Sequence, residues 1–310
     1  MSGPFVLPET QAVLDLVIAS GGPHLATLSA PEMRAVYRDM GAGFDLPAEN
    51  GVRKVDLSHD GIGLRAYFPG AAEAGRVIVY FHGGGWVIGD LVTHDPVCSL
   101  IAALTGLRVV AVDYRLAPEY PYPAAHDDCL VASRFVASSP SVLEAPVTGI
   151  AVAGDSAGGN LAFYVAAALG AATVCAQLLI YPVGDCTAGD DGSYREFGEG
   201  FILDRQLMDR FITDYLPAVA DRAALPVSPL LAPLDAGLPP AVVLTAGLDP
   251  LRDQGRTLAA RLVETGTEVH FLEAAGLVHG IATMRGAFPS GDRIIRRATT
   301  LFGDLIQASN

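Results

Sequence analysis

Short, continuously apolar runs that recur along the chain constrain its fold more than any other feature. Runs such as VIVYF at 77–81 and AVVLTA at 241–246 lack the alternation of polar and apolar residues that a half-exposed strand shows. They therefore predict strands buried on both faces. Helical segments separate most of these runs, which favours an α/β fold with a mostly parallel central sheet flanked by helices. The predicted strands are Arg76–Phe81, Leu107–Asp113, Gly149–Gly154, Ala176–Tyr181, Ala241–Thr245 and Glu268–Leu272.

Two segments depart from this alternation. Residues 1–45 look helical, in two parts, and the second part is expected to end at the Gly41–Gly43 stretch. Residues 186–224 are first polar and rich in glycine, then amphipathic, and they interrupt the α/β pattern between two strands. We therefore expect a core of residues 46–185 and 225–310, with the two departing segments packed over the carboxyl edge of the sheet.

Composition limits the partners and the compartment. Of the 310 residues 51% are apolar, and the formal net charge is −14 without any block of Lys or Arg. The chain can bury a large core, and nucleic-acid binding is not expected. Neither a secretory signal nor a membrane-spanning run is visible, so we expect a cytoplasmic protein without stable membrane association. The four cysteines form no CxxC pair and no cluster with histidine, so neither a metal site nor a disulfide is expected.

The strongest local motif is GDSAG at residues 154–158, which matches G-x-S-x-G. It follows an apolar strand-like run and precedes the Ala-rich helical run NLAFYVAAAL. Glycines permit a turn too tight for a β-carbon, and such a turn lifts the serine hydroxyl above the sheet. Ser156 is therefore the predicted nucleophile. The alternative is an ordinary Gly-rich turn with a helix-capping serine.

A second motif, HGGGW at residues 82–86, directly follows another predicted strand. Acyl transfer builds negative charge on a carbonyl oxygen, and backbone N–H groups must be in place to stabilise it. Gly83 and Gly84 are the predicted oxyanion donors, together with the N–H of Ala157. A phosphate-binding loop is the alternative, but the loop matches neither GxGxxG nor GxxxxGK[ST]. Trp86 either contacts the substrate or belongs to the core.

A serine hydroxyl needs a general base, which in α/β-hydrolases follows the nucleophile in the chain. Of the seven histidines, only His270 and His279 lie after Ser156. His270 alternates with apolar residues inside a predicted strand, whereas His279 lies in a loop beyond that strand. Catalytic groups gather on such loops, so His279 is the predicted base.

The acid that orients the histidine should also follow a strand. Asp249 fits, because the run AVVLTAG leads directly into Leu-Asp-Pro at 248–250. Asp253 is placed in the next helix and Asp235 precedes the strand. Asp249 is therefore predicted to hold the imidazole tautomer and to stabilise the imidazolium.

These motifs together resemble the hormone-sensitive lipase family, also called the bacterial family IV esterases, and the GDSAG form is similar to its larger subgroup. The resemblance covers roughly residues 75–285. It implies an α/β-hydrolase fold with a helical cap, and hydrolysis of short- to medium-chain acyl esters of small molecules without metal or cofactor. It also suggests a homodimer through the edge strand near 268–272. The matching residues are HGGGW at 82–86, DYRLAPE at 113–119, GDSAGGN at 154–160, SPL at 228–230, DPLRD at 249–253 and HG at 279–280.

The resemblance also assigns residues near these motifs. Trp86, Asp155 and Ile281 are the predicted substrate-binding residues, and Asp155 is expected to help hold the turn around Ser156. Ile281 stands where the family often has Phe. Four polar residues are expected to form a buried structural network beside the site: Asp113, Tyr114, Arg115 and Glu119.

Three alternative functions stay open at this level. An amidase would use the same triad. A non-catalytic binding protein similar to the plant hormone receptors of this family would lack the histidine, and the presence of His279 favours an enzyme. A long-chain lipase would need an exposed apolar lid, and charged residues of the insertion argue against one: Asp190, Asp191, Arg195, Glu196 and Glu199.

Overall fold

A computed structural model describes residues 3–187, 189, 192–224 and 226–309, so Asp190 and Asp191 lie outside the described residues. One eight-stranded sheet crosses these residues, in the order β1-β2-β4-β3-β5-β6-β7-β8 for strands numbered along the chain. From β4 to β8 every neighbouring pair is parallel, which confirms the predicted α/β fold. The strands are β1 (Arg53–His59), β2 (Ile62–Phe68), β3 (Gly75–Phe81), β4 (Arg108–Asp113), β5 (Val147–Asp155), β6 (Val174–Ile180), β7 (Ala241–Leu248) and β8 (Val269–Val278).

All six predicted strands are present, but the sequence reasoning missed β1 and β2. These two strands form an antiparallel hairpin at one edge of the sheet. The exposed sequence of β1, RKVDLSH, alternates polar and apolar residues and lacks the continuous apolar run that marked the others. β7 and β8 are also longer than predicted, and each ends directly before a predicted catalytic residue, Asp249 or His279.

Helices cover both faces of the sheet. Alternate residues of β3 enter different core clusters, since Val77 and Val79 pack on one face while Ile78 and Tyr80 pack on the other. Helices α4, α5 and α8 cover the first face, and α3 and α9 cover the second. Truncating a buried Leu or Ile in such a core costs about 2–5 kcal/mol. The helices are α1 (Pro8–Ser20), α2 (Ala30–Phe44), α3 (Asp95–Thr105), α4 (Ala124–Ala137), α5 (Ala157–Leu169), α6 (Gly192–Phe197), α7 (Arg205–Tyr215), α8 (Arg252–Glu264) and α9 (Pro289–Ala308).

Helix α2 continues past the point where the glycines were expected to end it. The expectation was wrong, because α2 runs through Gly41 and Gly43 to Phe44. Each glycine inside a helix costs roughly 1 kcal/mol relative to alanine. Tertiary contacts at the helix end offset this cost: the carbonyl of Phe44 accepts from the N–H of Ala287 at 2.9 Å.

The N-terminal segment and the insertion contact each other above the sheet. His24 Nε2 lies 2.7 Å from Asp204 Oδ2 at the start of α7, and Arg210 of α7 donates to the carbonyl of Ala26 at 3.0 Å. These contacts agree with a shared covering layer, while the division into core and cap stays a prediction. Among the described residues no helix is long and apolar enough to cross a membrane.

All four cysteines are buried and unpaired. They lie apart in the fold, on α3, α4, β6 and the segment after β6. In these positions the thiols pack as small buried side chains.

Candidate active site

Ser156 occupies a sharp turn between β5 and α5. Its backbone has φ +56° and ψ −120°, a conformation that L-residues with a β-carbon rarely adopt and that costs on the order of 1–3 kcal/mol. The neighbouring glycines make the turn possible. A β-carbon on Gly158 would lie 2.0 Å from the carbonyl oxygen of Phe81, and one on Gly154 would lie 2.2 Å from that of Gly158. The motif therefore has the strand–turn–helix geometry that its sequence predicts.

The structure brings the three predicted triad residues together. His279 Nε2 lies 2.9 Å from Ser156 Oγ, and His279 Nδ1 lies 2.7 Å from Asp249 Oδ2. Asp249 is fully buried, and its second oxygen accepts from the N–H of Leu251 at 2.8 Å. With a carboxylate at Nδ1, the imidazole carries its proton there and presents the Nε2 lone pair to the hydroxyl. This arrangement can remove a proton from Ser156.

The rejected candidates lie elsewhere. His270 is on β8 and faces Glu268 at 3.4 Å. Asp253 is on α8, as expected, where its carboxylate accepts from the N–H of Ser193 at 2.9 Å. Neither side chain is placed to contact Ser156 directly.

Gly83 does not present a free donor, so its prediction as an oxyanion donor is wrong. Its N–H donates to Asp155 Oδ1 at 2.9 Å and faces His94 Nε2 at 3.2 Å, inside the protein. The N–H groups of Gly84 and Gly85 make no hydrogen bond within the described ranges. Ala157 opens α5, and the first N–H of a helix has no partner in the helix. Among the described residues the N–H groups of Gly84, Gly85 and Ala157 are therefore free, and sequence reasoning missed Gly85 because a run of glycines does not show which N–H the fold already uses.

Asp155 holds the turn and the HGGG loop together. Its Oδ1 accepts from the hydroxyl of Tyr80 at 2.7 Å and lies 3.3 Å from His94 Nε2, besides the bond from Gly83. Burial by itself raises the pKa of Asp155, but the His94 ring and the hydrogen bonds from His94 and Tyr80 outweigh burial and lower that pKa. An ionised carboxylate thus joins the turn at Ser156 to the HGGG loop.

The other two predicted substrate-binding residues are fully buried. The indole of Trp86 stacks on the ring of Tyr215 from α7, with centroids 4.7 Å apart. Ile281 packs beside Gly291 of α9. Neither side chain has exposed surface, so a substrate would reach them only after neighbouring side chains move. Substrate contact by Trp86, Asp155 and Ile281 stays a prediction.

The expected buried network of the DYRLAPE motif is wrong for three of its four members. Tyr114 is buried, and its hydroxyl donates to the carbonyl of His82 at 2.7 Å. The side chains of Asp113, Arg115 and Glu119 are exposed. Long charged side chains reach solvent here and pair singly with residues of other elements, Arg115 with Asp128 and Glu119 with Arg34.

Helix α7 of the insertion contacts the HGGG loop directly. The Phe211 ring packs so closely on Gly85 that a β-carbon there would lie 2.2 Å from it. The amphipathic sequence of α7 indicates that one face is buried, but the residue it touches is set by the tertiary fold. Across the described residues, no group of His, Cys, Asp or Glu is arranged to hold a metal ion.

Comparison with known proteins gives consistent similarities. Residues 78–283 match a family described by the α/β-hydrolase fold. The chain is 39% identical over 298 residues to carboxylesterase NlhH of Mycobacterium tuberculosis, covering 91% of this chain and 92% of that protein. It is 35% identical to an ethyl acetate hydrolase of Pseudomonas putida, covering 92% and 94%.

Among solved structures, a thermostable esterase from Pseudomonas putida superposes with a TM-score of 0.90 at 31% identity. The superposition covers 99% of each chain. The likeness therefore extends to the N-terminal segment and the insertion as well as to the sheet.

Proposed function

The chain belongs to the α/β-hydrolase family, among the carboxylic-ester hydrolases of the hormone-sensitive lipase type, and on that premise we propose that it hydrolyses short- to medium-chain acyl esters through an acyl-enzyme on Ser156. The hydrogen-bond chain from Ser156 through His279 to Asp249, with distances of 2.9 and 2.7 Å, supports this proposal most directly. Ester hydrolysis by the relatives agrees with this chemistry.

In the first half of the reaction, His279 accepts the proton of the Ser156 hydroxyl as the oxygen attacks the ester carbonyl. Asp249 stabilises the imidazolium that forms. When the tetrahedral intermediate collapses, His279 Nε2 returns the proton to the leaving alcohol. The acyl group then remains on Ser156.

We assign the oxyanion to the N–H groups of Gly84, Gly85 and Ala157, since these have no partner within the described residues. They are held in place before substrate arrives, so little reorganisation accompanies the reaction. Loss of one such donor typically costs about 3 kcal/mol of transition-state stabilisation. The carboxylate of Asp155 positions this loop by accepting from Gly83.

In the second half, a water molecule attacks the acyl-enzyme while His279 acts again as base. The base must be neutral in both halves, so we expect hydrolysis to slow in acid. The residues assigned above perform these steps by proton transfer and hydrogen bonding, without a role for a cofactor.

The proposed substrate is a small-molecule ester, covered by the N-terminal segment and the insertion acting as a helical cap. Phe211 and Tyr215 of α7 lie over the HGGG loop, so side chains of the cap are placed to limit the size of the substrate. The proposed homodimer would use β8, which lies at the sheet edge and exposes 43% of Phe271.

The test is hydrolysis of p-nitrophenyl acyl esters from C2 to C16, measured beside Ser156→Ala. We expect turnover to peak at short or medium chains and to fall at least 10⁴-fold in the variant, as for other triad nucleophiles. A peak at C12 or longer would indicate a lipase instead. Failure of a phosphonate to label Ser156, with no turnover at any length, would contradict the enzyme assignment and favour a ligand-binding relative.

A further inference from the structure

The loop that carries Asp249 is held by a helix of the insertion. This segment, residues 247–253 and here called the acid loop, comprises the last two residues of β7, the connection at 249–251 and the first two residues of α8. The short helix α6, Gly192–Phe197, lies against it. The two segments are more than fifty residues apart in the sequence, so their contact depends wholly on the fold.

Ser193 makes three hydrogen bonds to this loop. Its hydroxyl donates to the carbonyl of Pro250 at 2.7 Å and accepts from the N–H of Asp253 at 3.1 Å. Its own N–H donates to the Asp253 carboxylate at 2.9 Å. Ser193 is only 2% exposed, so water cannot readily replace these bonds. The Ser193 hydroxyl thereby fixes two backbone groups after Asp249, the carbonyl of Pro250 and the N–H of Asp253.

Arg252 adds a second link between α6 and the loop. Its guanidinium donates to Glu196 at 3.0 Å, reaches the carbonyl of Gly247 at 3.4 Å, and lies over the Phe197 ring at 4.7 Å from the centroid. Two of these partners belong to α6 and one to the strand end just before Asp249. The guanidinium therefore links α6 to the strand end before Asp249, while Ser193 links α6 to the residues after Asp249.

We propose that Ser193 is a positioning residue: by fixing residues 250–253 from α6, it sets the place of the Asp249 carboxylate and so completes the triad. This inference rests on the proposed role of Asp249. Apart from His279, the one hydrogen bond to this carboxylate from a described residue is that of the Leu251 N–H, which belongs to the same loop. Any shift of the loop therefore moves the carboxylate relative to His279. If Ser193 only attached the insertion to the rest of the protein, its loss would change substrate binding and the free energy of unfolding but would leave the geometry of the triad unchanged.

The test compares Ser193→Ala with Ser133→Ala as a matched control. Ser133 is also fully buried, but among the described residues its hydroxyl donates to the carbonyl of Cys129 within α4, away from the loop. Activity is expressed per site titrated with a phosphonate, so that unfolded protein does not count. We expect kcat of Ser193→Ala to fall about 10-fold with KM within twofold, since a small displacement of a catalytic group affects the transition state more than binding. Ser133→Ala should keep the wild-type kcat.

A second variant, Gly192→Ala, disturbs the contact between α6 and Asp253 by adding a methyl group rather than by removing a hydrogen bond. Gly192 has φ +50°, and a β-carbon there would lie 2.7 Å from an Asp253 carboxylate oxygen. Gly192→Ala should therefore also lower kcat at nearly constant KM. In both variants the strongly deshielded proton of the His279–Asp249 hydrogen bond should shift or broaden in the proton NMR spectrum, which loss of insertion stability alone would not cause.

Two results would overturn the proposal: kcat within twofold of wild type in both variants, or a change confined to KM with the deshielded proton unmoved. Asp249→Asn separates this inference from the assignment on which it rests. If Asp249→Asn loses about 10⁴-fold in kcat while Ser193→Ala loses nothing, only the positioning role fails. If Asp249→Asn keeps the wild-type kcat, the acid itself is wrongly assigned.

Discussion

Around Ser156 the supporting groups come from the sheet and its adjoining loops, whereas around Asp249 they come from a short helix inserted between β6 and β7. On the first side, Asp155 of β5 bonds Tyr80 of β3 and Gly83 of the adjoining loop. On the second side, Ser193 of α6 bonds the loop that follows Asp249.

The difference has an energetic basis. The support beside Ser156 involves an ionised carboxylate without water contact, and breaking such hydrogen bonds leaves charged or polar groups buried without partners. The support beside Asp249 uses two neutral hydrogen bonds of Ser193, a third to the partly exposed Asp253 carboxylate, and a partly exposed ion pair, which are individually weaker. We therefore expect the nucleophile side to be the more rigid and the acid side to be the one that responds to changes in the insertion.

The largest effect is expected from Asp155→Asn. This substitution removes the negative charge that supports the Ser156 side, while the side chain keeps its size and shape. The Asp155 carboxylate faces His94 and accepts from Tyr80 and Gly83, and a neutral amide cannot replace its charge. The HGGG loop should therefore lose its fixed position. We expect kcat to fall on the order of 100-fold, as when an oxyanion donor is lost, and the free energy of unfolding to fall by about 1–3 kcal/mol.

Asp113→Asn provides the control for this variant. Asp113 ends β4 and, like Asp155 at the end of β5, lies at the carboxyl edge of the sheet, but its side chain is exposed. Steady-state kinetics and urea unfolding of both variants would check the prediction. Equal kcat for Asp155→Asn and the wild type would show that the loop does not depend on this carboxylate.

Lowering the pH should act on the Ser156 side through two buried histidines. Burial lowers the pKa of His82, the first residue of the HGGG loop, to about 4, and also lowers that of His126, which bonds Tyr215 of α7, to about 4. Their ordinary pKa is 6.5, so between these values the unfolded chain binds protons that the folded chain excludes. Stability is thus full above about pH 6.5 and falls towards pH 4, by on the order of 2 kcal/mol for each histidine at pH 5.

Urea unfolding at pH 7 and pH 5 measures this loss. In His126→Gln the difference between the two pH values should shrink by roughly half, because one of the two histidines no longer titrates. An unchanged pH difference in the variant would show that His126 does not contribute. Hydrogen exchange at pH 5 would then tell whether α7 or the HGGG loop opens first.

The smallest effect is expected from Glu196→Gln, which removes the ion pair between α6 and Arg252. The Glu196 side chain is 50% exposed, and exposed ion pairs contribute only about 0–1 kcal/mol. We expect kcat to change less than twofold, since the buried bonds of Ser193 remain. A loss as large as that of Ser193→Ala would show that the outer link, and not the serine, holds the acid loop.

Local patterns predicted much of this molecule. The continuous apolar runs indicated the six central strands, and the glycines around Ser156 indicated a turn that a β-carbon would block. Chain order together with strand ends selected Asp249 and His279, and the structure brings His279 to Ser156 and Asp249 to His279. The inferences on strands and on the turn succeed because each depends on residues that are close together in the sequence.

Two predictions failed because their outcome depended on distant partners. Helix α2 continues through its glycines because Ala287 bonds its last carbonyl, and Gly83 is unavailable because Asp155 already accepts from its N–H. The edge hairpin was missed for a local reason, because the outer strand β1 is partly exposed and lacks the continuous apolar run of a central strand.

The sequence by itself determined the fold class and the sharp turn at Ser156, because periodicity and local sterics act within a few residues. The tertiary structure alone decided which glycine N–H groups stay free, which charged residues are buried, and which helix holds the acid loop. Those outcomes depend on pairs such as Ser193 and Pro250, which are brought within 2.7 Å only after the chain has folded. No local pattern encodes the partner of a hydrogen bond across that sequence distance.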